Sequence, residues 1–260
     1  MNNYRIFAAI CTIYRTGICL MKQLIKKLLN SLHISLTRNQ RYDADTRKIM
    51  GQVLLPDSNS IDVGCHRGEI LDLMIRFSPS GRKIGFEPIP EFYQYLENKY
   101  SHDFLVKIYP VALYDKAGTT SFQHVVNEPA YSGIKKRRYD GKDVRINEIT
   151  VETDLLDHFI PSDIPVGFIK IDVEGAELQV MRGGLKTIKR CRPVIIFECG
   201  IGASDFYGTR PEEVYDLISD QCQMKISTLR KYLKKESSLS KQEFTGLYYS
   251  EKEYYFVAHP

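Results

Sequence analysis

The chain has 260 residues, 43% hydrophobic and 26% charged, which is enough for one large domain with a full core and argues against a disordered or fibrous protein. Its net charge of +4 is uneven: residues 1–50 carry +7 and the remainder −3. That distribution argues against a nucleic-acid-coating protein and leaves only the first segment to meet an anionic surface.

Met21, Leu24, Ile25, Leu28, Leu29 and Leu32 fall on one helical face, with Lys22, Lys26 and Lys27 off it. Such a helix either docks on the body or lies at a membrane interface with its lysines toward anionic lipid. The uncharged stretch from Ile6 to Tyr14 is too short to span a bilayer, which takes about 20 residues. Residues 38–48 are polar and read as a linker. From Gly51 short apolar runs alternate with helical stretches, the rhythm of a parallel sheet with crossover helices. The predicted strands are Ser60–Val63, Lys83–Phe86, Leu105–Tyr109, Gly167–Ile171 and Val194–Glu198. The predicted helices are Glu69–Phe77, Pro90–Tyr100, Glu174–Ile188 and Pro211–Ser219, with Pro90 and Pro211 suited to a first helical position. Thr119–Thr153 breaks the rhythm with two β-like pieces, Thr120–Val126 and Arg145–Val151. Between them runs the basic loop Lys135-Lys136-Arg137-Arg138. An insertion between the third and fourth strands would lie over the strands' carboxyl ends, where ligands bind. The Ser- and Lys-rich stretch Lys234–Lys241 reads as a loop, and Tyr254–Ala258 as a last, antiparallel strand. The six cysteines show neither Cys-x-x-Cys pairs nor zinc spacing, and read as reduced thiols of a cytosolic protein.

The run IDVGCHRGEI, from Ile61 to Ile70, is a buried strand entering a glycine turn that opens a helix. A dinucleotide fingerprint needs Gly-x-Gly-x-x-Gly, and here Asp62 stands at the first glycine, followed by Gly64 and Gly68. A carboxylate repels pyrophosphate and suits a cation. S-adenosylmethionine brings an ammonium and a sulfonium and no phosphate, so charge favours it over NAD. Glu87 ends the second strand, placed to accept hydrogen bonds from ribose hydroxyls. In IKIDVEGAELQVMRGG a buried strand delivers Asp172 at its end, with Glu174 and Glu177 opening the next helix, where the dipole favours acids.

IDVGCHRG, GFEPIPEFYQYL, PVALYDKAGTTSF, KIDVEGAELQVMRGG and RPVIIFECG together resemble, in order, the blocks of FkbM-type S-adenosylmethionine-dependent methyltransferases, over roughly residues 50–200. The resemblance implies an α/β, Rossmann-like methyltransferase fold. Its sheet is mostly parallel and seven-stranded, with an antiparallel last strand and helices on both faces. Residues 46–260 form that domain, after an N-terminal amphipathic basic segment of residues 1–45. The resemblance implies S-adenosylmethionine as cofactor, with Asp62, Gly64 and Gly68 at its methionine end, Glu87 on the ribose, and Ala112 to Asp115 near the adenine. Cys65-His66-Arg67 departs from the family's small or amide residues, and His66 is a cofactor-contact candidate by its place in the turn alone. It also implies O-methyl transfer to a sugar, glycan or secondary metabolite.

Methyl transfer to oxygen is an in-line displacement with a good leaving group, so positioning supplies much of the rate. A general base adds about 10²–10⁴-fold. Asp172 is the first candidate, then Glu174, then Glu198. No residue is assigned as a metal ligand, Mg²⁺ on Asp172 and Glu198 being the alternative route. Arg137 and Arg138 would meet a phosphate-bearing acceptor if the basic loop is more than a solvated face. Three rivals remain. A nicotinamide oxidoreductase lacks its first glycine here. A nucleic-acid methyltransferase lacks its Asn/Asp-Pro-Pro-aromatic loop, the position reading DVEG. A non-catalytic S-adenosylmethionine-binding module would bind without turnover. The expected partners are a small-molecule or glycan acceptor and no nucleic acid, with peripheral membrane contact through residues 1–33 as the second reading of the basic helix.

Overall fold

A computed structural model of the protein describes residues 37–139 and 143–260. The helix expected over Met21–Leu32 and the membrane reading of residues 1–33 lie outside them. Among the described residues, no helix is long and apolar enough to cross a membrane. Asp45–Pro260 forms one compact unit.

Five short strands lie parallel: β1 (Ser60–Val63), β2 (Lys83–Phe86), β3 (Val106–Tyr109), β7 (Phe168–Ile171) and β8 (Val194–Glu198). Two more, β9 (Lys225–Thr228) and β10 (Tyr255–His259), complete a seven-stranded sheet in the order β3-β2-β1-β7-β8-β10-β9, with β10 antiparallel to both its neighbours. Every residue of β1, β7 and β8 is buried, which is why these strands read as apolar runs rather than alternations. Helices α2 (Glu69–Phe77) and α3 (Pro90–Lys99) cross over from β1 to β2 and from β2 to β3. The chain then returns to place β7 on the other side of β1. Right-handed crossovers running outward in opposite directions from β1 place helices on opposite faces. They also open a crevice at the carboxyl ends of β1 and β7.

Between β3 and β7 sits a second sheet of three strands, β4 (Val111–Leu113), β5 (Gly118–Val125) and β6 (Ile146–Asp154), in the order β4-β6-β5. The expected insertion is therefore a small sheet, and it starts earlier than the sequence suggested, directly after Pro110. Its Ala112, Phe122 and Val151 pack with Ile89 and Phe92 beside the main sheet.

Three expectations are corrected. Residues 38–48 are not a linker but the first part of α1 (Arg38–Val53). Thr37 and Gln40 each accept from the other's backbone amide, a capping box that starts this helix despite its polar sequence. The helix expected over Glu174–Ile188 begins at Glu177 and breaks into α4 (Glu177–Gly183) and α5 (Leu185–Cys191). A side chain at Gly183 would strike the carbonyl of Tyr114, and one at Gly184 would strike Leu156, so this glycine pair is where the segment Leu156–His158 comes closest. The helix expected over Pro211–Ser219 ends as α6 (Pro211–Asp216) and widens into a π turn through Gln221. The chain continues through α7 (Leu229–Leu233) and α8 (Lys241–Tyr249), the latter opened by a Ser240–Glu243 capping box.

The core is continuous across the sheet, and Phe197 of β8 is fully buried against Phe256 of β10, ring centres 6.0 Å apart. Phe197→Ala is expected to cost about 3–5 kcal/mol of stability in urea unfolding. A loss under about 1 kcal/mol would mean that this layer repacks freely.

Candidate active site

The glycine turn after β1 has physical reasons for its residues. Gly64 adopts a left-handed φ of 87°, and a side chain there would run into the Asp172 backbone carbonyl. Gly68, with φ 80°, sits under the Tyr100 hydroxyl, which donates to the Gly68 carbonyl at 3.0 Å and to Asp72 at 2.9 Å. Between them His66 also takes a positive φ, 49°, and its ring lies 4.5 Å from that of Phe92. Burial lowers the His66 pKa, against the pull of Glu69.

The turn is tied to the end of β2 through Glu87. Its two carboxylate oxygens accept from the His66 amide at 2.8 Å and the Ile89 amide at 2.9 Å. Burial nonetheless raises the Glu87 pKa to about 7. Asp62 lies within β1, paired in register with Gly85 and Lys170, and only 2% of it is exposed. One of its carboxyl oxygens has no hydrogen-bond partner. Burial raises its pKa to about 8, opposed by Lys170 and reinforced by Asp172 and Glu87.

A cavity opens over these strand ends, where ligands bind in open α/β sheets. Gly64, His66, Glu87, Ala112, Asp172 and Glu174 all line it. The second sheet and the loop after it supply an apolar wall through Phe122, Pro129, Ala130 and Ile134. The structure therefore gathers six of the predicted site residues around one space. Asp62, Gly68, Glu198, Arg137 and Arg138 are not part of that lining, and Asp115 is exposed in the turn after β4.

Asp172 follows β7 and meets two partners the sequence reading had not singled out. Lys170 donates to its Oδ2 at 2.7 Å, and the Tyr255 hydroxyl donates to the same oxygen. The Asp172 side chain keeps 30% of its surface open, toward the cavity it lines, whereas that of Lys170 keeps 5%. Burial works to raise the Asp172 pKa, but the Lys170 charge and the bonds from Lys170 and Tyr255 outweigh it and hold the group below its usual range. Glu174, in a left-handed conformation with φ 58°, belongs to the loop before α4 rather than to the helix. Glu177 accepts from the amides of Val173 and Gly175 at 3.1 Å each, so it braces this loop. Glu198 ends β8, and burial, with Asp172 and Glu177 adding, raises its pKa to about 8.

One oxygen from each of Asp172, Glu174 and Glu198 lies within 4.8 Å of the others, near enough to share a cation. The cation that meets them is the guanidinium of Arg137, ion-paired with Glu174 and 3.9 Å from Glu198. Arg138 turns elsewhere: its amide donates to the Gly202 carbonyl at 2.8 Å and its guanidinium pairs with Glu251 at 3.0 Å. Lys135 and its backbone are held by Phe206 and Tyr207. The basic loop is thus strapped across the mouth by internal partners. Of its two arginines only Arg137 reaches the carboxylates. Lys170 had a signal in the sequence, a lone lysine inside a buried strand.

A family model described as the methyltransferase FkbM domain matches residues 62–234, and the chain belongs to this family. It is similar to the methyltransferase sdnD of Sordaria araneosa, 28% identical over 152 residues, which are 47% of this chain and 59% of that protein. Among solved structures it is similar to methyltransferase FkbM from Methylobacillus flagellatus KT, with 15% identity and a TM-score of 0.49, over 79% of this chain and 44% of that one. It is also similar to the O-methyltransferase from Bacillus cereus in complex with SAH, with 13% identity and a TM-score of 0.45, over 91% of this chain and 88% of that one. The matched part therefore spans 59% of the Sordaria protein and 44% of the Methylobacillus chain.

S-adenosylmethionine is the cofactor, and the donor set fits it. The cavity is lined by Glu87, Asp172 and Glu174 and, among the described residues, by no lysine or arginine. That set suits ribose hydroxyls, an ammonium and a sulfonium, and its carboxylates repel a pyrophosphate.

The raised Asp62 pKa has a consequence for stability. Below pH about 4 the carboxyl is protonated whether folded or unfolded, and it contributes no penalty. As pH rises the unfolded chain ionises it freely while the folded chain resists, so cofactor-free stability falls between pH about 4 and 8 and then levels off. Asp62→Asn is expected to remove part of that fall, on the order of a few kcal/mol, in urea unfolding at pH 5 and pH 8. An unchanged pH dependence would show that Asp62 ionises normally in the fold.

Proposed function

We propose that this protein is an S-adenosylmethionine-dependent O-methyltransferase acting on a hydroxyl of a small molecule or glycan. One observation carries the reading: a single cavity runs from Glu87, the acid suited to a ribose, to the carboxylate group around Asp172. Bound there, S-adenosylmethionine supplies an electrophilic methyl group on a sulfonium. Glu87 holds the ribose hydroxyls, and the turn from Gly64 to His66 faces the methionine end. The apolar wall of Phe122, Pro129, Ala130 and Ile134 excludes water from the cavity. Asp172, Glu174 and Glu198 present carboxylate oxygens to the acceptor side, and one of them takes the hydroxyl proton. The acceptor oxygen gains the methyl carbon, the electron pair of the broken C–S bond stays on sulfur, and S-adenosylhomocysteine is released.

The second sheet and the Arg137 strap cover the same mouth, which favours a small acceptor or a single protruding hydroxyl over a large flat surface. Recognition of a phosphate by Arg137 or Arg138 would first have to break their pairs with Glu174 and Glu251. These pairs support a neutral hydroxyl acceptor over an anionic one.

The test is transfer of a radiolabelled methyl group to panels of neutral and phosphorylated sugars and polyols. S-adenosylhomocysteine is expected to form with a neutral hydroxyl acceptor, and Glu198→Gln or Asp172→Asn should lower kcat by about 10²–10⁴-fold. Cofactor binding with no turnover across hydroxyl acceptors, and transfer to an amine instead, would contradict O-methylation.

A further inference from the structure

The carboxylates at the mouth are not equivalent, and their hydrogen bonds separate them. The Oδ2 atom of Asp172 is doubly committed, to the Lys170 ammonium at 2.7 Å and to the Tyr255 hydroxyl. The Lys170 ammonium is itself 3.4 Å from that hydroxyl, and lies 4.8 Å from the centre of the Tyr255 ring. Lys170 is 4% exposed and sits in β7 between β1 and β8, so its charge has no route to water. A buried ammonium needs an anion beside it. Glu174 is committed to Arg137. Glu198 is different: it is opposite Tyr255 in the sheet register, it is buried, and one of its carboxyl oxygens lies within 4.8 Å of one from Asp172. Two buried carboxyl groups this close resist being ionised together, so a proton is retained on one of them. Asp172, already accepting from an ammonium and a phenol, is the anion, and Glu198 carries the proton.

The geometry points to a division of labour: Lys170 and Tyr255 are positioning residues that clamp Asp172 as a permanent anion facing the cofactor, and Glu198 is the group that exchanges the acceptor's proton. This rests on the methyl-transfer reading and deepens it, because it reverses the order of candidates drawn from sequence. A permanent anion beside the reacting centre favours a sulfonium but makes a poor proton acceptor, whereas a base works best when it titrates near the operating pH. The resting proton of Glu198 is lost to water before the step. Ionised Glu198 then accepts the hydroxyl proton as the oxygen–methyl bond forms and the C–S bond breaks, the electron pair staying on sulfur. The accepted proton remains on Glu198 after product release and restores the resting state.

The groups facing this pair come from every neighbouring element. They are Asp62 from β1, Lys170 from β7, Glu174 and Glu177 from the loop and helix that follow β7, Arg137 from the strap, and Tyr255 from β10. Burial, Asp172 and Glu177 all raise Glu198, while Arg137 and Lys170 lower it.

The experiment is carbon-13 NMR of the full chain with labelled Asp and Glu carboxyl carbons, titrated without cofactor or acceptor. The signals are assigned by their disappearance in Asp172→Asn and Glu198→Gln. The expected result is an Asp172 signal that stays ionised down to pH below about 4, and a Glu198 signal that titrates near 8. Tyr255→Phe removes one bond to the anion and should raise the Asp172 midpoint by roughly one to two pH units. Lys170→Met should raise it further where the protein still folds, and the Tyr255→Phe titration stands on its own if it does not. A protonated Asp172 at neutral pH beside an ionised Glu198 would overturn the assignment. An Asp172 midpoint unmoved in Tyr255→Phe would overturn the clamp. Neither titration involves methyl transfer, so failure here is separable from failure of the O-methyltransferase reading.

Discussion

The site depends on one buried ammonium. Lys170 lies inside the central strand of the sheet, across from Asp62 on β1 and two residues before Asp172. Without that charge the sheet would hold a cluster of uncompensated acids at its carboxyl end, where Asp62, Asp172 and Glu198 stand on three neighbouring strands. Leaving a buried charge unpaired typically costs about 3–5 kcal/mol. The cluster tolerates its own density by two means: Lys170 keeps one member ionised, and burial keeps others protonated. The same means divide the roles of the carboxylates in chemistry.

The frame around this charge is set by the reversal of strand order between β1 and β7. Strands β1, β2 and β7 bring the glycine turn, Glu87 and Asp172 to a common edge. The close approach of Gly64 to the Asp172 carbonyl locks the two halves of the crevice together. The second sheet then closes the space with an apolar wall, and the Arg137 strap closes the carboxylate side. What the cavity contains, acids and apolar surface without a lining cation, selects its ligand by charge.

Much of this was legible in the sequence for a physical reason. Strands buried on both faces leave continuous apolar runs, so Ser60–Val63, Lys83–Phe86 and Val194–Glu198 have the same bounds in sequence and structure. Glycine turns and strand-end acids are local signals too, and Gly64 and Glu87 line the cavity. What escaped depends on contacts far apart in the chain. The break at Gly183-Gly184 answers to Tyr114 and Leu156, about seventy and thirty residues away. The position of Arg137 depends on the strap folding back onto Glu174. The meeting of Lys170 and Tyr255 joins residues 85 apart. α1 was missed because its polar composition hid the Thr37–Gln40 capping box. β9 was missed because its four residues, Lys-Ile-Ser-Thr, carry a single apolar side chain and give little pattern to read.

The central claim is that Glu87 and the crevice beside it bind the nucleoside of S-adenosylmethionine, and calorimetric titration tests it most directly. Wild-type protein should give saturable heat with S-adenosylmethionine and none with NAD, and Glu87→Gln should weaken binding by roughly 10–100-fold, the worth of hydrogen bonds to a charged acceptor. Binding of NAD, or full affinity for S-adenosylmethionine in Glu87→Gln, would contradict it.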